Sequence, residues 1–215
     1  MPHPRSLLAA LGLAAALACG GGSVARADMV APPPDEARLA AGQAVSYPQV
    51  LYRQGRRYIG GVSYAVIEAS ADELTALLGD MAAYKAVLPH AEGARLVGED
   101  GGDKLVEITQ GVSFVRAAYT LRMRMDPDRR RVRFWLDGRR PHAIDDAWGY
   151  FRVEPIADAA DGSPRVLLSY GVLVDLGPGL MRDLFESRIL ASMLSIPDRL
   201  RHYASARFRG GPRTG

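Results

Sequence analysis

The chain of 215 residues contains a single cysteine, Cys19. Beyond that position no disulfide and no thiolate metal site can form, so stability has to come from buried apolar surface. Histidine is also scarce. Of the four histidines, His3 sits at the extreme N-terminus. His90, His142 and His202 are too far apart for an H-x-x-H or H-E-x-x-H pairing, and no metal site is expected. A G-x-S-x-G elbow, a P-loop and a G-x-G-x-x-G turn are all missing, which removes the usual hydrolase, nucleotide and dinucleotide signatures. No cofactor is therefore expected. After the first residues no apolar run approaches the roughly 20 residues that span a bilayer. Internal repeats and long low-complexity tracts are absent as well.

What is present begins with an N-terminal stretch that reads as an export signal. Arg5 supplies positive charge, and Leu7 to Ala18 is an unbroken run of Leu, Ala and Gly, too short for a comfortable membrane span. Ala25, Arg26 and Ala27 give the small-x-small pattern of a signal peptidase site, so residues 1–27 are expected to be removed and the product to be periplasmic or secreted. Cys19, followed by Gly20, Gly21, Gly22 and Ser23, is the alternative processing site and would give a lipid anchor. Removing 1–27 takes Arg5 and Arg26 from 27 basic residues and leaves 25 against 24 acidic ones. That near-neutral balance gives no reason to expect nucleic acid.

Residues 28–45, with Pro32, Pro33 and Pro34, read as an extended linker, and residues 46–207 as one domain of ordinary size. Tyr64, Val66 and Ile67 form a strand that ends at Ser70. Ser70 and Glu73 form an S-x-x-E capping box ahead of Leu74, Leu77 and Leu78, which predicts a helix. Asp80 caps a second short helix carrying Met81, Tyr84, Val87 and Leu88, stopped by Pro89. Strands are predicted over 105–110, 113–125, 131–137, 147–153 and 165–174, joined by turn residues. Alternation puts Val115, Ala117, Tyr119, Leu121 and Met123 on one face and Arg116, Thr120, Arg122 and Arg124 on the other. Met181, Phe185, Ile189, Met193, Ile196, Leu200 and Tyr203 recur at helical spacing in a C-terminal helix, which Pro197 should kink or break near Ser195. The residues from 208 to 215 read as a flexible tail.

The segment IEASADELTALLGDMAAYKAVLP, from Ile67 to Pro89, resembles the opening of the START and polyketide-cyclase-like superfamily. In that superfamily a strand meets a capped helix and then an Asp-x-x-x-Tyr helix ending in Leu-Pro; Asp80, Tyr84, Leu88 and Pro89 hold those places. The order of elements from Val62 to Tyr203 is similar too. The nearest members are of the coenzyme-Q-binding and lipid-transport START type. The resemblance implies an α+β helix-grip fold, a curved antiparallel sheet wrapped around a long C-terminal helix. A cavity between them would take a hydrophobic small molecule, lipid-like or quinone-like, without catalysis. Tyr119, Leu121, Met123, Phe134, Leu136, Phe151, Met181, Phe185, Ile189 and Met193 would line it, although the same residues could fill an ordinary core.

One polar constellation supports a rival expectation. Arg140, His142 and Asp146, with Arg139, Asp145, Trp148 and Tyr150 nearby, combine an anion binder, a group titrating near neutrality and a carboxylate. Such a set would suit a cyclase or dehydratase, but it reads first as a solvated loop of paired charges. Arg116, Arg122, Arg124, Arg129, Arg130, Arg131 and Arg133 form a basic excess on neighbouring strands. This is either a solvated face or a contact for anionic lipid headgroups at a membrane surface. A monomer is expected.

Overall fold

The computed structural model describes Met29 and residues 31–112, 115–126, 128 and 130–209. The expected signal peptide, its Cys19 alternative, Arg129 and the tail beyond 209 lie outside the described residues. Thirteen elements follow in the order α1 (Glu36–Ala40), β1 (Val45–Arg53), β2 (Arg56–Ile67), α2 (Ala71–Gly79), α3 (Met81–Val87), β3 (Ala91–Asp100), β4 (Asp103–Val112), β5 (Val115–Asp126), β6 (Arg131–Leu136), β7 (Asp146–Ile156), β8 (Arg165–Asp175), α4 (Leu180–Leu194) and α5 (Ile196–Arg209). The strands form one curved antiparallel sheet in the order β1-β2-β8-β7-β6-β5-β4-β3. Apart from β2 pairing with β8, every neighbour in the sheet is also a neighbour in sequence, and short turns suffice to join them.

The expected local signals are present as built geometry. In the α2 cap, the Ser70 hydroxyl accepts from the Glu73 amide at 3.2 Å and the Glu73 carboxylate accepts from the Ser70 amide at 2.8 Å. Asp80 caps α3 through the Ala82 amide at 3.0 Å. The C-terminal helix is broken at Ser195, which closes α4, and α5 begins at the next residue. Pro197 then sits in the first turn of α5, where its missing N–H costs nothing.

Two strands go beyond the six expected. β1 forms a hairpin with β2 through Gln54 and Gly55, both at positive φ, 51° and 75°, the geometry of a two-residue turn matched to strand twist. Pro48 is tolerated because β1 is an edge strand. β3, at the other edge, carries two register shifts against β4, and irregular edges of this kind resist pairing with other chains.

Alternation along the strands sorts side chains onto two faces. The inner face carries Ile67 on β2, Val166, Leu168, Tyr170, Val172 and Val174 on β8, and Phe151 and Val153 on β7. Val132, Phe134 and Leu136 on β6 and Leu121 and Met123 on β5 continue it. With Leu74, Leu77, Leu78, Tyr84 and Val87 from α2 and α3 and Leu194, Ile196 and Leu200 from the α4–α5 junction, they form one core cluster. Gly149 lets the Phe134 ring lie directly over β7, since a Cβ there would collide with it.

The outer face near β1, β2 and β8 is covered by the segment expected as a linker. Asp35 caps α1, whose Leu39 packs with Val45, Val62 and Tyr64. The Tyr64 hydroxyl donates to the Pro32 carbonyl at 2.8 Å and the Tyr47 hydroxyl to that of Pro33 at 3.1 Å. Met29 packs against both outer apolar clusters. Residues 31–41 are thus a strap on the sheet.

Candidate functional site

The inner face and its helices carry most of the expected ligand-binding residues. Leu121, Met123, Phe134, Leu136 and Phe151 are all buried in the core cluster, and Tyr119 and Met193 pack against it. Phe134 and Phe151 lie 5.7 Å apart, and Tyr170 stacks 4.8 Å from Phe151 and 6.2 Å from Phe134. Such tilted and offset contacts are the favoured aromatic arrangements. Phe185 and Ile189 are placed differently. Both lie on α4, which packs on β1, β2 and α5. These two side chains are half-buried and outside the core cluster. In sheet order they sit two strands or more from the residues on β6 and β5. Met181 lies in α4 as well, with its side chain outside the described residues.

Between α2, α3 and α5 the described residues enclose a cavity of about 10 Å³, lined by Leu77, Leu78, Ala83, Tyr84, Val87, Leu88 and Leu200. That is about the room for one water molecule.

Helix α4 is held by the packing of Leu190, Met193 and Leu194 against the core and by polar contacts to β2. Arg57 on β2 makes a bidentate ion pair with Glu186, both side chains being partly buried. This pair holds the Glu186 carboxyl below the usual carboxylate range. At the end of the helix the Ser63 hydroxyl donates to the Leu194 carbonyl at 2.9 Å, and Ser46 sits 2.9 Å from Ser63. Leu184 is largely exposed.

Three interior tyrosines were not singled out together by sequence: Tyr84 on α3, Tyr119 on β5 and Tyr170 on β8. Burial raises the hydroxyl pKa of each above the ordinary tyrosine value. The Tyr84 hydroxyl donates to the Leu78 carbonyl at 2.7 Å. Tyr119 donates to the Gln110 side-chain oxygen at 2.6 Å, and the Gln110 amide donates in turn to the Pro89 carbonyl at 2.7 Å.

The polar constellation does not converge. His142 is exposed, with Nδ1 2.7 Å from the Ile144 carbonyl. Arg140 lies 3.8 Å from Asp137. Asp146 accepts from the Tyr58 hydroxyl at 2.9 Å. The three side chains thus have three separate partners. Among the described residues no group of His, Cys, Asp and Glu is arranged to hold a metal, and no helix is long and apolar enough to cross a membrane.

Three arginines of the basic strand face, Arg116, Arg122 and Arg124, pair with carboxylates from β3 and β4. Asp103, 2% exposed, accepts from Arg122 at 3.0 Å and from Arg124 at 2.5 Å. Asp100 pairs with Arg122 and Arg139, and Glu92 with Arg116. Arg124 also lies 5.9 Å over the Trp135 ring, within cation–π range.

No protein-family model and no curated protein sequence matches the chain. Solved structures do match. The chain is similar to the Zhui aromatase/cyclase from Streptomyces sp. R1128, with 17% identity, a TM-score of 0.54 and coverage of 71% of this chain and 96% of that one. It is also similar to a STAR-related lipid transfer protein from Xanthomonas axonopodis, with 14% identity, a TM-score of 0.53 and coverage of 72% and 90%. The protein TTHA0849 from Thermus thermophilus matches at 17% identity and a TM-score of 0.54 over 68% of this chain and 97% of its own. The chain has the helix-grip fold, and its structural neighbours are members of the START and polyketide-cyclase-like superfamily. That is a fold used for hydrophobic ligands by proteins of different activities.

Proposed function

We propose that this protein is an exported, non-catalytic carrier of a lipid-like or quinone-like molecule, held between the inner sheet face and the helices. The observation that supports it most is the chemistry of that inner face. From β4 to β8 its buried side chains are aliphatic or aromatic, whereas Arg140, His142 and Asp146 are each engaged elsewhere. Burial of apolar ligand surface, at roughly 25 cal/mol per Å², would supply the affinity. Tyr119, Leu121, Met123, Phe134, Leu136, Phe151 and Met193 would form the lining. The ligand would enter by displacement of α4, which the Arg57–Glu186 pair ties to β2 and which ends at Ser195. Phe185 and Ile189 line the opened passage.

Native mass spectrometry of the protein purified from its own cell envelope tests this directly. A bound hydrophobic compound is expected, and returning it to stripped protein should raise the melting temperature with ligand concentration. Recovery of the bare chain mass alone, with no thermal shift from any envelope lipid fraction, overturns the carrier reading. Turnover of a poly-β-ketone thioester that His142→Ala abolishes would replace it with the cyclase reading.

A further inference from the structure

Among the described residues, Tyr170 is an interior polar side chain whose hydroxyl has no hydrogen-bond partner. Its ring is pinned between Phe151 and Phe134, and the residue is 3% exposed. Tyr84 and Tyr119 stand close enough to act on it electrostatically, yet their hydroxyls donate to Leu78 and Gln110. The Tyr170 hydroxyl makes no hydrogen bond with any described residue. Among the described residues the one fully enclosed side-chain polar atom left unpaired is Arg131 Nε. The Tyr170 oxygen therefore has no partner among the described residues and is not fully enclosed by them. A buried donor in this state costs stability unless something accepts from it.

We propose that Tyr170 is the specificity-determining donor of the ligand site, and that the ligand is a neutral, mostly apolar molecule whose buried end carries a carbonyl oxygen. The inference rests on the carrier reading and narrows it. Several observations select the ligand class. The hydroxyl is a donor at physiological pH, so it recognises an acceptor oxygen and gains nothing from a plain hydrocarbon. No lysine, arginine or histidine is among the buried residues described. A carboxylate or phosphate at this depth would therefore be an unpaired buried charge. The flanking rings favour a flat conjugated ketone or quinone over a saturated chain.

The test uses the whole mature protein and a matched pair of probes, 2-acetylnaphthalene and 2-ethylnaphthalene, each competing against the fluorescent ketone 6-propionyl-2-dimethylaminonaphthalene. Its emission moves to longer wavelength when its carbonyl accepts a hydrogen bond. In the wild type the ketone should compete about tenfold better than the hydrocarbon, the factor that accompanies one hydrogen bond. In Tyr170→Phe that ratio should fall to about one, and the bound fluorophore should emit at shorter wavelength. The melting temperature of ligand-free Tyr170→Phe should stay unchanged or rise, since no internal bond is lost. Tyr119→Phe, which loses its bond to Gln110, should melt lower. Equal ketone preference in wild type and Tyr170→Phe overturns the assignment and leaves the carrier reading standing. Failure of all three probes to bind the wild type overturns both.

Discussion

On its inner face β8 presents Val166, Leu168, Tyr170, Val172 and Val174 to the helices. On its outer face β5, three strands away, presents Arg122 and Arg124 to the carboxylates of Asp100 and Asp103. The first arrangement depends on filled volume, which is non-directional and additive in area. The second depends on aligned charges, which gain little where water reaches them and much where it does not. If the protein carries a ligand as proposed, the first kind of surface has to be deformable, and the proposed place of that freedom is helix α4. The comparison therefore predicts a core that punishes lost volume everywhere except under α4.

The largest expected effect tests that exception. Phe151→Ala opens a void between Phe134 and Tyr170 and should lower stability by about 3–5 kcal/mol in urea unfolding. Phe185→Ala, on the half-buried face of α4, should cost less than about 1.5 kcal/mol. Equal losses would make α4 a full member of the core and remove the proposed route of entry.

A smaller effect is expected on the charged face. Asp103→Asn leaves Arg122 and Arg124 facing each other without the carboxylate that joins them, and should cost about 2–3 kcal/mol. Asp100→Asn should cost clearly less than Asp103→Asn, because that side chain is half-exposed and its pairs are screened. Denaturant midpoints for the two variants decide it. Similar small losses would reduce the whole network to solvated surface.

The sequence showed some of this and hid the rest for physical reasons. The Ser70–Glu73 box, the Asp80 cap and the break at Ser195 are local devices, set within four residues, and were legible. So was β5, where apolar and basic residues alternate because only one face is packed. β8 was legible as a strand but not by face. Leu167 and Leu173 on its outer side are covered by the strap and by neighbouring aromatics, so the period-two signal is erased. That is why Tyr170 did not stand out as an inward residue. β1 and β3 were missed because edge strands tolerate proline, glycine and charge. The docking of Met29, Pro32 and Pro33 could not be read locally either, since it is written in Tyr47 and Tyr64 on other strands. The grouping of Phe185 and Ile189 with the β5 and β6 residues followed the cavity that the resemblance implies, and helical spacing gives a face but not the strands it covers.

The smallest effect sharpens the comparison by pH. Unfolded tyrosine titrates near pH 10, while Tyr84, Tyr119 and Tyr170 in the folded chain are raised above that by burial. Above pH 10 the unfolded chain releases these protons and the folded chain keeps them, so the unfolded state binds fewer protons and stability falls as pH rises. The contribution is fully present below pH 10 and is lost progressively as pH climbs toward the folded values. At pH 11 each such tyrosine should account for a loss of about 1.4 kcal/mol relative to neutral pH. Tyr170→Phe removes one of them, so its stability should drop by about 1.4 kcal/mol less than that of the wild type between pH 8 and pH 11. Phe151→Ala changes no titrating group and should fall in parallel with the wild type, despite being far less stable at both pH values. If Tyr170→Phe instead falls as steeply as the wild type, the Tyr170 hydroxyl is already open to bulk water. It could not then serve as a buried donor to a ligand.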